Sequence, residues 1–198
     1  MKKRTGTCLF YSKQEDKFLK RLVEMLGPVL IGVKPSEVLS FPMHDDKIDI
    51  KIEKVKKHIG CCKKIQYKMF IYKNKSIKIL FYNSKSLDVC LRDKRNQKFL
   101  KNLGYPKDYT MESYLDFLIN KIKAGKIPDE IGVFLGYPLK DIIGFIGHPS
   151  LKLTKINGWR VYGDSRLSDK KFSEFSKAKN TVRNLLNQYT PEKVLLYV

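Results

Sequence analysis

The alternation of apolar and polar residues between Lys64 and Tyr82 constrains the fold more than any other feature of the chain. Ile65, Tyr67, Met69 and Ile71 alternate with Lys64, Gln66 and Lys68; Ile77, Ile79 and Phe81 then alternate with Ser76 and Lys78, around Lys73-Asn74-Lys75-Ser76. A period of two sends successive side chains to opposite faces of a strand, so the pattern predicts a β-hairpin over 64–82. Parity restricts its loop. A two-residue loop at Asn74-Lys75 would pair odd positions with even ones, whereas a three-residue loop from Asn74 to Ser76 keeps the seven odd-numbered residues on one face. The odd loop is therefore expected. The opposite face carries Lys64, Gln66, Lys68, Phe70, Tyr72, Lys78, Leu80 and Tyr82, a mixture of cations and rings able to stack bases and neutralise phosphates if exposed. If helices cover its aromatic end instead, the lysines form a solvated rim.

Elsewhere the periodicity is helical. Phe18, Leu19, Leu22, Val23 and Leu26 make an apolar face expected to end at Gly27-Pro28, followed by a short extended or buried run from Val29 to Val33. Ile48, Ile52, Val55 and Ile59 precede Gly60; Leu87 to Leu103 reads as one or two helices ending at Gly104; Met111 to Ile122 reads as another. Phe172, Phe175, Val182, Leu186 and Tyr189 place one stripe on a last long helix. Further strands are expected near 130–135 and 159–162. Helices and strands do not alternate regularly, which favours an α+β fold with a mainly antiparallel or mixed sheet over a doubly wound one. A chain of 198 residues with 42% hydrophobic content suits a single domain, 1–198.

The formal net charge is +20, and it is unevenly spread. Residues 51–101 hold 16 Lys and Arg against 3 Asp and Glu, or +13, about two-thirds of the total. Lysine outnumbers arginine 33 to 7, so the excess fits either a polyanionic partner or an AT-rich codon bias. Met1-Lys2-Lys3-Arg4 leads into polar Thr5-Gly6-Thr7 rather than an apolar run, and no window suits a membrane span; a soluble cytoplasmic protein is expected. Cys8, Cys61, Cys62 and Cys90 form no C-x-x-C pair, which fits reduced thiols.

The chain's centre, Ile127 to Trp159, is glycine-punctuated and poor in lysine. The run PDEIGVFLGYPLKDIIGFI and the following GWRVYGD, with the upstream GPVLIGVKPSEVLSF and Gly104-Tyr105, resembles the bacterial family catalogued as domain of unknown function 3793. The similarity extends from about Cys8 to the final helix. It implies one domain in a bacterial cytoplasmic setting, of the kind found mainly in anaerobic Gram-positive bacteria. It transfers no activity, cofactor or functional residue.

Three chemistries are expected from the residues themselves. The leading one is a non-enzymatic module for a small anionic ligand or cofactor. Gly136-Tyr137-Pro138 sits where a strand would pass into a helix, with Pro138 suited to the first helical position and free amides able to hold an anion. A second candidate is Lys34 with Ser36, at the start of a short helix toward Phe41, which could converge on an anion. Arg160 and Tyr162, on one face of a strand beside Tyr137, would add a ring-and-cation pocket. The alternative is nucleic-acid binding through the basic 51–101 region, using Lys64, Lys68, Phe70, Tyr72, Lys78 and Tyr82. Third is an enzyme using Glu130 and Asp141, if they share a cavity; as ordinary residues they would mark a strand entrance and a helix's first turn. His44 beside Asp45-Asp46 and His58 near Cys61 fall short of metal-ligand spacing, and no metal site is expected.

Overall fold

A computed structural model describes residues 16–198. Met1 to Thr7 and Cys8 lie outside the described residues. The elements run α1 (Lys17–Ile31), β1 (Ser36–Pro42), α2 (Ile48–Ile59), β2 (Gln66–Tyr72), β3 (Ser76–Tyr82), α3 (Ser84–Arg92), α4 (Lys94–Asn102), α5 (Met111–Lys123), α6 (Ile131–Phe134), α7 (Leu139–Ile146), β4 (Leu153–Asn157), β5 (Trp159–Tyr162), α8 (Arg166–Leu186) and α9 (Pro191–Tyr197). The fold is α+β. Among the described residues, no helix is long and apolar enough to cross a membrane.

β2 and β3 form the hairpin, and β1 pairs antiparallel with the other edge of β3, so the sheet order is β1-β3-β2. Odd residues face odd residues across the hairpin, as in Met69 with Ile79 and Tyr67 with Phe81. The loop has an odd number of residues but is Lys73 to Lys75, one position earlier than the pattern suggested, with Tyr72 opposite Ser76. The cause is conformational: Lys73 (φ 53°) and Asn74 (φ 52°) adopt the left-handed form that a tight hairpin turn requires, and the Lys75 N–H closes it on the Tyr72 carbonyl at 3.1 Å.

The sheet is buried on both faces. Ile65, Ile79, Phe81 and Phe41 pack with α1, α2, α8 and α9, while Phe70, Leu80 and Tyr82 pack with α3, α4, α5 and the α6–α7 segment. Two helical layers thus share one sheet, each supplied by one parity of the same strands.

Several elements differ from expectation. α1 continues through Pro28 to Ile31, ending at Gly32 in a left-handed cap. Val29 and Leu30 are almost wholly buried, and that burial offsets the one helical hydrogen bond that proline cannot donate. Ser36 opens strand β1 rather than a short helix, because its partner edge on β3 is free to pair. Residues 130–135 are not a strand: they contain the single-turn helix α6, whose apolar run is buried without a sheet neighbour. An apolar run of that length does not distinguish the two states. β5 lies outside the main sheet, pairing antiparallel with β4 in a two-stranded ribbon. Leu87 to Leu103 is two helices, broken at Asp93, whose carboxylate caps α4. Tyr189 lies beyond the end of α8 and is exposed.

Because Phe81 is fully buried while Ile71 on the same face is 53% exposed, Phe81→Ala should lower the unfolding free energy by about 3–5 kcal/mol and Ile71→Ala by under about 1 kcal/mol. Urea unfolding of both variants checks this; equal losses would mean that this face is not buried as described.

Candidate functional site

The segment after α5 is built around two close approaches. Gly136 has φ +77°, and a Cβ there would lie 2.4 Å from the Pro35 ring; only glycine meets both demands. A Cβ on Gly144 would likewise lie 2.4 Å from the Tyr162 ring, so the Tyr162 side chain packs directly on the α7 backbone. The Gly136 and Tyr137 amides are donated to the Val133 and Gly132 carbonyls at 3.0 and 2.9 Å, and the anion-holding amides expected at this turn are thus engaged within the chain. Pro138 is the N-cap of α7, one position before the first helical residue.

Asp141 organises what surrounds this turn. It is 2% exposed and accepts four hydrogen bonds. One oxygen takes Lys140 Nζ at 2.6 Å and the Tyr162 N–H at 2.9 Å; the other takes Trp159 Nε1 at 2.8 Å and Ser168 Oγ at 2.6 Å. Lys140 also donates to the Tyr162 carbonyl at 2.7 Å. One carboxylate therefore ties α7 to β5 and to α8. Burial pushes its pKa up, but the donors from Lys140, Ser168, Tyr162 and Trp159 together outweigh burial and hold it below the usual carboxylate value.

Trp159, fixed by Asp141, stacks on Tyr137 with ring centroids 4.6 Å apart and planes 16° from parallel. The pair is a wall with a cleft on each side. One cleft, about 370 Å3, is lined by Ile131, Tyr137, Ile142, Phe145, Trp159 and Arg160, with Pro128 and Asp129 at its edge. Arg160 is exposed, and its guanidinium lies 5.4 Å from the Phe145 ring centroid. The other cleft, about 280 Å3, is lined by Lys34, Glu37, Tyr137, Trp159, Phe172 and Phe175 among others. Burial, then the Glu37 charge, push the Tyr137 phenol up to about 12, so it is a neutral ring near pH 7.

The structure brings together some of the residues singled out from the sequence and separates others. Tyr137 borders both clefts, Arg160 one and Lys34 the other. Lys34 is buried, donates to Glu37 at 2.7 Å and lies 5.5 Å from the ring centroids of both Tyr137 and Phe175. Ser36 is fully buried, and its hydroxyl donates to the Phe134 carbonyl at 2.6 Å rather than facing a ligand beside Lys34. Tyr162 packs its ring on Gly144, away from the stack. Glu130 is buried, accepting from Lys121 and from the Tyr105 hydroxyl; burial first, then this carboxylate, push the Tyr105 phenol well above its ordinary value. Glu130 borders a depression with Lys121 and Asp129, whereas Asp141 borders the neighbouring cleft; the two share Ile127, Pro128 and Asp129.

The cation-and-ring face of the hairpin is not open either. Phe70 and Tyr82 are 5% exposed. Lys78 is buried, 4.8 Å from the Tyr72 ring centroid. Lys68 pairs with Glu112 and Asp116 of α5, and these bonds outweigh burial and raise its pKa. Lys64 is exposed ahead of the start of β2. Among the described residues, no group of three His, Cys, Asp or Glu is placed to hold a metal. Burial raises the Cys90 thiol to about 11, keeping it protonated near neutral pH.

Sequence reasoning missed Ser168, which lies in no motif, passed over Lys140 and Phe145 within the distinctive central run, and read Phe172 and Phe175 as part of a single core stripe. Their three-residue spacing was visible. That α8 extends past the main core to wall a cleft was not.

Asp141→Asn replaces an acceptor of four donors with an amide that itself donates, and should cost about 3 kcal/mol at neutral pH. The folded-state pKa of Asp141 is depressed, so the ionised group stabilises above its unfolded value of about 4, and that contribution is lost as pH falls through the folded value. The gap between wild type and variant in urea unfolding should therefore narrow in acid. A gap constant from neutral to acid pH would contradict the network.

No curated protein and no solved structure matches the chain. A family model described as protein of unknown function (DUF3793) matches residues 22–195, beginning later than the Cys8 start suggested by the resemblance. That match spans nearly all of the sequence, the centre with Gly136, Asp141 and Trp159 included, and the chain belongs to this family.

Proposed function

We propose that residues 1–198 form one domain in a bacterial cytoplasmic setting, a non-enzymatic module that binds a small, planar, singly charged anion in the cleft between the Tyr137–Trp159 stack and Phe145. The observation that carries this reading is the near-parallel stack walling an apolar cleft that has an exposed arginine at its mouth. Apolar walls favour a ring, and a guanidinium free to turn from Phe145 supplies a forked donor for a carboxylate or phosphate. Asp129 at the edge opposes a second negative charge. An enzymatic role draws no support from Asp141, since all four of its bonds serve the fold. Nucleic-acid binding by the hairpin draws none from Phe70, Lys78 and Tyr82, which are buried.

The chain's single tryptophan is Trp159, so its fluorescence reports on this wall alone. Naphthoate should quench it saturably, and Arg160→Gln should weaken naphthoate roughly tenfold, the loss expected for one charge-assisted hydrogen bond. The uncharged naphthylmethanol should bind both proteins alike. Unchanged naphthoate affinity in Arg160→Gln would remove the reading.

A further inference from the structure

A groove of about 520 Å3 between α1 and α8 adjoins the cleft on the far side of the stack, the two sharing Met25 and Lys179. The groove adds Lys17, Lys20 and Arg21 from α1; residues 17 and 21 are four apart and so lie on one helical face. Its carboxylates are already engaged. Glu24 accepts from Arg183 at 2.8 and 3.0 Å, and Glu37 in the cleft accepts from Lys34 at 2.7 Å. Among the described residues, no ion pair answers Lys17, Arg21 or Lys179. Unanswered like charges in a concave surface focus a positive potential. At the other end the lining is aromatic, with Trp159 and Phe172 side by side.

We propose that cleft and groove together bind a ligand in which a planar ring carries a chain of phosphates. The ring lies against Trp159 and Phe172, and the phosphates run past Lys179 to Arg21 and Lys17. Free nucleoside polyphosphates and single-stranded nucleic acid both present this chemistry, since either supplies a stacking ring and successive phosphates. The inference shares only the Tyr137–Trp159 wall with the function proposed above and does not depend on Arg160.

Quenching of Trp159 by AMP, ADP and ATP tests it. Affinity should rise with each phosphate, ATP binding at least about tenfold tighter than AMP, and the ATP contrast should shrink at high salt. The double variant Lys17→Gln, Arg21→Gln alters exposed side chains at the far end of the groove and should keep the unfolding midpoint. It should weaken ATP about tenfold while leaving AMP within about twofold and naphthoate unchanged; Arg160→Gln should do the reverse. Displacement of ATP by a short oligothymidylate would assign the phosphates to a strand, and failure to displace it would assign them to a free nucleotide. Equal affinities for AMP and ATP, or full ATP binding by the double variant, would overturn the inference.

Discussion

Strand β3 is the constraint on which the rest of the molecule depends. It is the middle strand of the sheet, with Ile79 and Phe81 buried toward one helical layer and Leu80 and Tyr82 toward the other. A strand apolar on both faces cannot form an edge exposed to water, so it requires a neighbour on each side and helices above and below. β1 and β2 satisfy the first demand; the nine helices of the described residues divide between the two layers to satisfy the second. Even the polar positions obey it: Lys78 buries its stem beneath Tyr72, and Lys68 leaves the sheet to meet Glu112 and Asp116.

Asp141 does for the cleft region what β3 does for the core. A buried carboxylate is costly unless donors surround it, and here four donors from three elements converge on it. Because one of them is the Trp159 indole, the orientation of the cleft wall is tied to the same charge that joins α7 to β5 and α8. The surfaces proposed to bind ligands are thus presented by a rigid centre, with the mobile chemistry left to exposed Arg160, Arg21 and Lys17.

Much of the core was legible in the chain. The seven alternating residues of the hairpin and the stripes of α1, α2 and α5 follow from the periods of two and 3.6 that burial on a strand or helix face imposes. The errors have particular causes. Short apolar stretches such as Ile131 to Phe134 satisfy either period. Pro28 stopped the expected helix because a missing donor is a local signal, whereas the burial of Val29 and Leu30 that sustains α1 is not. The site was less legible: Tyr137, Arg160 and Lys34 do gather near one wall, but Ser36 and Glu130 were drawn into the interior and Tyr162 onto Gly144.

The α+β class, the hairpin and its parity, the main helical faces and the concentration of charge are readable along the chain, since each depends on residues near one another in it. Only the assembled fold covers the cation-and-ring face of the hairpin with α3 to α7, makes Asp141 a structural anchor, and sets Trp159 between two clefts. These outcomes depend on partners far apart in sequence, such as Asp141 with Ser168 or Glu24 with Arg183. Burial and charge compensation are properties of that assembled neighbourhood, so no local pattern of residues could specify them.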